Sequence, residues 1–383
     1  MPAPLFFGAS RRAVISLLGS DVGRGHAFYL DGLERELRRI APHRVAERAS
    51  VFAIAQGLGG LGWKSIRAAY HAAGLGGPAP ALYAWLRGRS DYNSDSPMLR
   101  VLGRDLRRWA DAFEIVVVDH PTLVGALGDR TGLWYLHGEA TAPPETLVTR
   151  AARILVPTGG VARAFLQAGV DAARVSVTGL CVDPALLPNQ RAHTQQRRTR
   201  IASGAPLSVA FFSSGSEPRA HVSTLVAGAA ALARSRHRAL VFASQGGRLE
   251  RAVRRLSAPL PELVSFGSRK QLDALTAEHF PSLDLILSPP HERANWSLAL
   301  GIPCLLVGPD IGPFAPRNRA LLLEAGVAEE LGSRRDAREL PERIDELRAR
   351  GTLLAMSERG SVAEFRGFER AAELLIEESD ARR

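Results

Sequence analysis

One pattern runs the length of the chain: a short run of consecutive apolar residues, a turn of small or polar residues, then a longer amphipathic stretch. Apolar runs that do not alternate with polar residues belong to strands buried on both faces, which is the situation of a parallel sheet covered by helices. The runs in the first half are Ala13–Leu18, Ile115–Val118, Gly132–Leu136, Arg153–Val156 and Val175–Thr178. Those in the second are Leu207–Phe212, Ala239–Ala243, Leu263–Phe266, Leu283–Leu287 and Cys304–Val307. Stretches such as Phe28–Ile40, Val161–Ala168 and His221–Ser235 carry helical periodicity between them. Strand and helix in strict alternation predict an α/β chain with parallel sheets.

At 383 residues the chain is long enough for two such units. The segment 189–206, NQRAHTQQRRTRIASGAP, is polar and basic with no apolar period, and reads as an interdomain linker. The expected division is a first domain over 1–188, a second over 207–360, and a tail, 361–383, whose helix packs back on the first domain. Each half opens with a strand running into a small-residue turn, LLGSDVGRGH and VAFFSSGSEP. Two facing Rossmann-like domains follow, with a ligand cleft at the carboxyl ends of their strands.

Composition narrows the function classes. No apolar run approaches the roughly 20 residues of a membrane span. The first residues, MPAPLFFGASRRAVISLLGSDVG, read as a strand entering a turn rather than a secretory leader, so the expected location is cytoplasmic, or peripheral at the inner membrane face. Cys181 and Cys304 sit in apolar contexts and read as buried small hydrophobes. The net charge of +10 fits three partners: nucleic acid, an anionic membrane surface, or a phosphate-bearing substrate. No zinc-finger, RRM or helix-turn-helix pattern occurs, so nucleic acid ranks last and no nucleic-acid partner is expected.

The strand-end turns hold the chemistry. Gly23, Gly25 and His26 follow the first strand, where glycine lets the backbone approach a ligand and a helix N-terminus favours an anion. Tyr29 replaces the third glycine of a dinucleotide fingerprint, which disfavours a nicotinamide cofactor; no cofactor is expected. Asp119 and His120 end another strand, and His137 and Glu139 the next. In the second half, Ser214, Gly215 and Ser216 suit phosphate binding through backbone N–H groups, with Gln245, Gly246, Phe266 and Gly267 at neighbouring strand ends. His291, Glu292, Asn295, Asp310 and Asn318 lie along the segment 284–326.

These motifs resemble the GT-B glycosyltransferases, and within them glycosyltransferase family 28, the diacylglycerol glycosyltransferase and peptidoglycan lipid-intermediate GlcNAc transferase type. The likeness rests on Gly23-Arg24-Gly25-His26, on Asp119-His120-Pro121, on Ala299-Leu300-Gly301-Ile302-Pro303, and on Asn318 through Gly326. It implies an inverting, metal-independent transfer of a sugar from a nucleotide-sugar, a UDP-sugar first, to a lipid-linked or hydrophobic acceptor. In that scheme His26, or second Asp119, takes the acceptor proton; Gly23, Gly25, His120, His137 and Glu139 line the acceptor side; and the second-half residues hold the donor. The aromatics Trp63, Tyr70, Tyr83, Trp85 and Trp109 would rim a lipid site, although each alone is better read as core. Trp296 stands where the family has its ribose-binding glutamate, and Glu292 is the substitute. Two rivals stay open: a nucleotide-sugar 2-epimerase of GT-B fold, which needs no acceptor, and a non-catalytic sugar-nucleotide-binding protein.

Overall fold

The run Ile15–Gly19 forms β1, buried throughout, and its neighbours on either side decide where a ligand can sit. The computed structural model describes residues 15–20, 22, 24–73, 91–361 and 363–382, without the side chains of 24–26 and 73. In the first domain β1 pairs in parallel with β2 (Val45–Ser50) on one side and β3 (Ile115–Val118) on the other. β4 (Leu133–Leu136), β5 (Arg153–Val156) and β6 (Val175–Val177) continue the sheet in the order β2-β1-β3-β4-β5-β6. The second sheet runs β12-β11-β10-β7-β8-β9, again all parallel. Its strands are β7 (Ser208–Phe212), β8 (Arg238–Ser244), β9 (Glu262–Phe266), β10 (Leu285–Ser288), β11 (Cys304–Val307) and β12 (Ala328–Leu331).

In both sheets the chain leaves one strand in opposite directions. The reversal falls between β1 and β3 in the first sheet and between β7 and β10 in the second. The crevice outside the carboxyl ends of such strand pairs is where open α/β sheets bind ligands. Continuous burial of Ile115 to Val118, Ser208 excepted Val209 to Phe212, and Cys304 to Val307 is the physical consequence of helices on both sheet faces.

Two strands carry no apolar run. β2 reads Val-Ala-Glu-Arg-Ala-Ser and β12 reads Ala-Glu-Glu-Leu; both are sheet edges, less covered than the central strands, with Ala46, Glu47 and Glu330 exposed, so their sequences are mixed rather than apolar.

The segment 189–206, read as an interdomain linker, contains the helix Gln190–Ala202. Its buried face is Gln190, Thr194, Arg197 and Ile201, a helical stripe built mostly of polar residues, which is why no apolar period marks it. Arg197 is fully buried; it donates from Nε to the Leu283 carbonyl (2.8 Å) and from Nη1 to the Leu300 carbonyl (2.9 Å), and lies over the Phe280 ring. The guanidinium thereby closes the end of the helix Ala294–Leu300, whose C-cap Gly301 takes the left-handed conformation at φ 60°. At the other end of the chain, Phe368, Ala371, Ala372 and Leu375 of the helix Gly367–Ala381 pack into the core of the first domain with Leu30, Leu33 and Leu37.

Candidate functional site

The first domain brings the ends of β1, β3 and β4 to one edge. His26 and Gly25 fall in the helix Arg24–Ile40, but the His26 side chain and Gly23 lie outside the described residues. Past β3, His120 accepts the Thr122 N–H at Nδ1 (3.2 Å) and caps the helix Pro121–Leu127, whose first residue is the proline favoured there. Asp119 is buried beside it. Past β4, both ring nitrogens of His137 are engaged, Nδ1 with the Tyr135 hydroxyl (3.2 Å) and Nε2 with the Thr141 carbonyl (2.9 Å). Burial drives its pKa down to about 4, so the ring is neutral and bridges core to loop. Its ring contacts are Tyr135, Phe165 and Phe314.

Glu139, two residues on, is different in kind. Its carboxyl titrates at about 7, pushed up first by burial and then by the negative charge of Glu292 across the cleft. The Asn318 hydrogen bond acts in the opposite sense, as does the nearby Tyr29 hydroxyl. The Tyr29 hydroxyl is itself held well above its ordinary range by burial and by Glu139. Gly138 makes the arrangement fit: a Cβ there would stand 2.1 Å from the Tyr29 ring.

The second domain supplies the other wall. Glu292 lies in the turn after β10 and accepts from Arg293 Nη1 at 2.9 Å, while the Arg293 guanidinium sits 4.1 Å from the centre of the Phe212 ring. Burial lowers the pKa of His291 in the same turn. Asn318 is fully buried and fully used: Nδ2 donates to Glu139 Oε2 (3.3 Å) and to the Pro290 carbonyl (3.2 Å), and Oδ1 accepts the Thr141 hydroxyl (2.7 Å). Asn295 donates to the Cys181 carbonyl at 2.9 Å. Both asparagines, read from the sequence as donor contacts, therefore clasp the first domain. Asp310 is held by Arg319, with contacts of 2.8 and 3.0 Å. Trp296 is core, set edge-on to Phe212 and Phe280.

Beyond this lies a cavity of about 400 Å³ between the domains. Ser214 and Gly215 line it past β7, and Phe266 and Gly267 past β9. The Ser214 and Ser216 hydroxyls are 3.3 Å apart. Two backbone donors at these strand ends are taken internally: Gly246 N–H by Glu250 Oε2 (2.6 Å) and Gly267 N–H by Gln271 Oε1 (2.8 Å). The opposite wall is Arg67, Tyr70 and His71 on the helix Gly57–Ala73. Sequence reading treated this helix as part of an aromatic rim, and no local signal directs Arg67 or His71 toward the second domain. Trp63 of the same helix is core, its Nε1 bonded to the Leu102 carbonyl. His221 was also missed; it is fully buried, pushed down to about 4, and its Nε2 holds the Pro309 carbonyl at 2.7 Å.

No protein-family model matches the chain, and no curated protein matches its sequence. Solved structures do. The UDP-GlcNAc 2-epimerase of Neisseria meningitidis bound to UDP-GlcNAc is 13% identical with a TM-score of 0.53, covering 97% of this chain and 100% of that one. The MnaA protein of S. aureus, a UDP co-structure, is 13% identical with a TM-score of 0.56, covering 95% and 94%. The UDP-GlcNAc 2-epimerase of Methanocaldococcus jannaschii in complex with UDP-GlcNAc and UDP is 13% identical with a TM-score of 0.53, covering 95% and 99%. The likeness shows the fold: two facing α/β domains of GT-B-like architecture. It corrects the family 28 expectation. The N. meningitidis and M. jannaschii neighbours are named as epimerases and not glycosyltransferases, so the transfer of sugar to a lipid or hydrophobic acceptor is overturned as the main reading. Among the described residues, no helix is long and apolar enough to cross a membrane.

Proposed function

We propose that the chain binds a nucleoside-diphosphate sugar between its domains and inverts the sugar carbon next to the anomeric centre, as a nucleotide-sugar 2-epimerase without an acceptor substrate. The observation that carries this reading is Glu139, a half-buried carboxylate whose pKa is pushed up to about 7 by desolvation and by the negative charge of Glu292 from the other domain. A general base works best when its pKa lies near the working pH. The fold's neighbours, named as UDP-GlcNAc 2-epimerases, supply the substrate class.

The chemistry balances without an oxidant and without an acceptor. The hydrogen on C2 of such a sugar is not acidified by an adjacent carbonyl. Its removal is feasible when the C–H electron pair forms a C1=C2 double bond while the C1–O bond to the diphosphate breaks. Delivery of a solvent-derived proton to the opposite face of C2 and re-formation of the C1–O bond give the epimer. Glu139 is the base or acid on the first-domain side. Glu292, its charge balanced by Arg293, keeps the Glu139 proton affinity high. The strand-end turns at Ser214–Ser216 are the seat for the diphosphate.

Calorimetric titration with UDP, followed by product analysis of a UDP-GlcNAc incubation lacking any acceptor, tests the reading. UDP binding with appearance of the 2-epimer is expected. No binding of UDP, dTDP or GDP would leave the chain without a nucleotide-sugar function.

A further inference from the structure

The cavity between the domains has an unequal charge balance that the proposed epimerase reading does not by itself explain. Its second-domain wall is small and polar at Ser214 and Gly215. Only one carboxylate lines it among the described residues, Glu217, and that carboxylate is turned to the backbone, where Oε2 accepts the Leu249 N–H at 3.1 Å. Arg269 also lines it, but its guanidinium is paired with Asp31. Arg67 is not paired: among the described residues no carboxylate lies within ion-pair distance of it. What holds Arg67 is an aromatic face, with the guanidinium carbon 4.1 Å from the centre of the Phe52 ring.

That contact has a chemical consequence. A ring face orients a guanidinium and attracts its positive charge, yet it satisfies none of the five N–H donors. An arginine fixed in this way at a cavity wall is set to receive an anion with planar or tetrahedral oxygens, and phosphate is the match in a cavity whose other wall is a small-residue turn. The volume of about 400 Å³ is within the range of small-molecule sites.

We propose that Arg67 is the first-domain phosphate contact of this cavity, closing over the diphosphate of a nucleotide seated on the Ser214–Gly215 turn. This rests on the nucleotide-sugar reading above and extends it. Because Arg67 belongs to one domain and the turn to the other, phosphate binding draws the two together, and affinity depends on the cleft being closed.

The test compares UDP, UMP and uridine by calorimetry on the wild-type protein, Arg67→Gln and Arg67→Lys. Arg67 is exposed at the helix surface, so the variants should melt with the parent. For Arg67→Gln we expect a loss of roughly tenfold or more in UDP affinity, with uridine binding unchanged. Arg67→Lys should recover part of the loss, since it keeps the charge without the fork. An unchanged UDP affinity in Arg67→Gln overturns the inference while leaving the nucleotide reading intact. Equal losses for UDP and uridine overturn it too, since the residue would then be acting on the shape of the cavity. Failure of the wild-type protein to bind UDP strikes the nucleotide reading itself.

Discussion

Asn318 of the second domain donates from Nδ2 to Glu139 Oε2 of the first at 3.3 Å, while its Oδ1 accepts the Thr141 hydroxyl at 2.7 Å. One buried side chain thus positions the carboxylate and holds the loop that carries it. Asn318→Leu should cost about 2–3 kcal/mol of stability, because it leaves buried polar partners unmet. It also removes a bond that lowers the Glu139 pKa, so the acid limb of the epimerisation pH profile should move to higher pH. A purely structural Asn318 would lower stability and leave that limb in place.

Glu139 should cost stability where it is ionised. Its folded pKa, about 7, lies above the usual glutamate value, so the folded state holds its proton more tightly than the unfolded state does. The contribution is present at low pH and is lost as pH rises through about 7. Glu139→Gln should therefore raise the unfolding free energy at pH 8, by up to about 3 kcal/mol, and change it little at pH 4. The same variant should not epimerise. Equal stability of the two proteins at pH 8, measured by denaturant titration, would show that burial does not strain this carboxylate.

The buried histidines act over a lower window and in the other direction. His137 and His221 are both pushed down to about 4, so the unfolded state takes up protons first as pH falls from about 6.5. Each should remove stability between pH 6.5 and 4, on the order of 3 kcal/mol at most. His221→Gln can keep a donor for the Pro309 carbonyl and loses the titrating ring. Its stability difference between pH 7 and pH 5 should be smaller than that of the parent; an identical difference would remove His221 from the acid response.

Arg197 lies fully buried in the helix Gln190–Ala202, its pKa lowered to about 10 by burial. Arg197→Ala should destabilise by about 3 kcal/mol or more, since the Leu283 and Leu300 carbonyls lose a charged donor. A melting temperature equal to that of the parent would contradict this role.

The same helix marks where sequence reading stops. Long apolar runs such as Ile115–Val118 and Cys304–Val307 announce strands covered on both faces, and the two-sheet architecture follows from them. A helix whose buried face is Gln190, Thr194 and Arg197 carries no such signal, because its partners are backbone carbonyls from distant segments. The edge strands β2 and β12 are silent for a related reason: less covered than the central strands, they carry exposed glutamates, Glu47 and Glu330. At the candidate site, Glu139 is legible as a strand-end carboxylate, and Glu292 only through the family glutamate that Trp296 displaces. What sequence position could not convey is orientation. Asn295, Asn318 and His137 lie near the cleft, but their polar atoms are spent on the protein, a matter of tertiary partners alone. Arg67 reaches the cleft only because the helix Gly57–Ala73 stands opposite Ser214 and Gly267. The likeness to family 28 rested on scaffold residues, the glycines and prolines of turns, which GT-B-like enzymes of different chemistry share.

Proton exchange at the inverted carbon tests the central claim most directly. The protein is incubated with UDP-GlcNAc in D₂O without an acceptor, and the nucleotide sugar is followed by NMR and mass spectrometry. The account predicts a 2-epimer carrying deuterium at C2, with Glu139→Gln binding UDP but incorporating none. A protein that binds UDP yet leaves the C2 hydrogen and the configuration of UDP-GlcNAc untouched would contradict it.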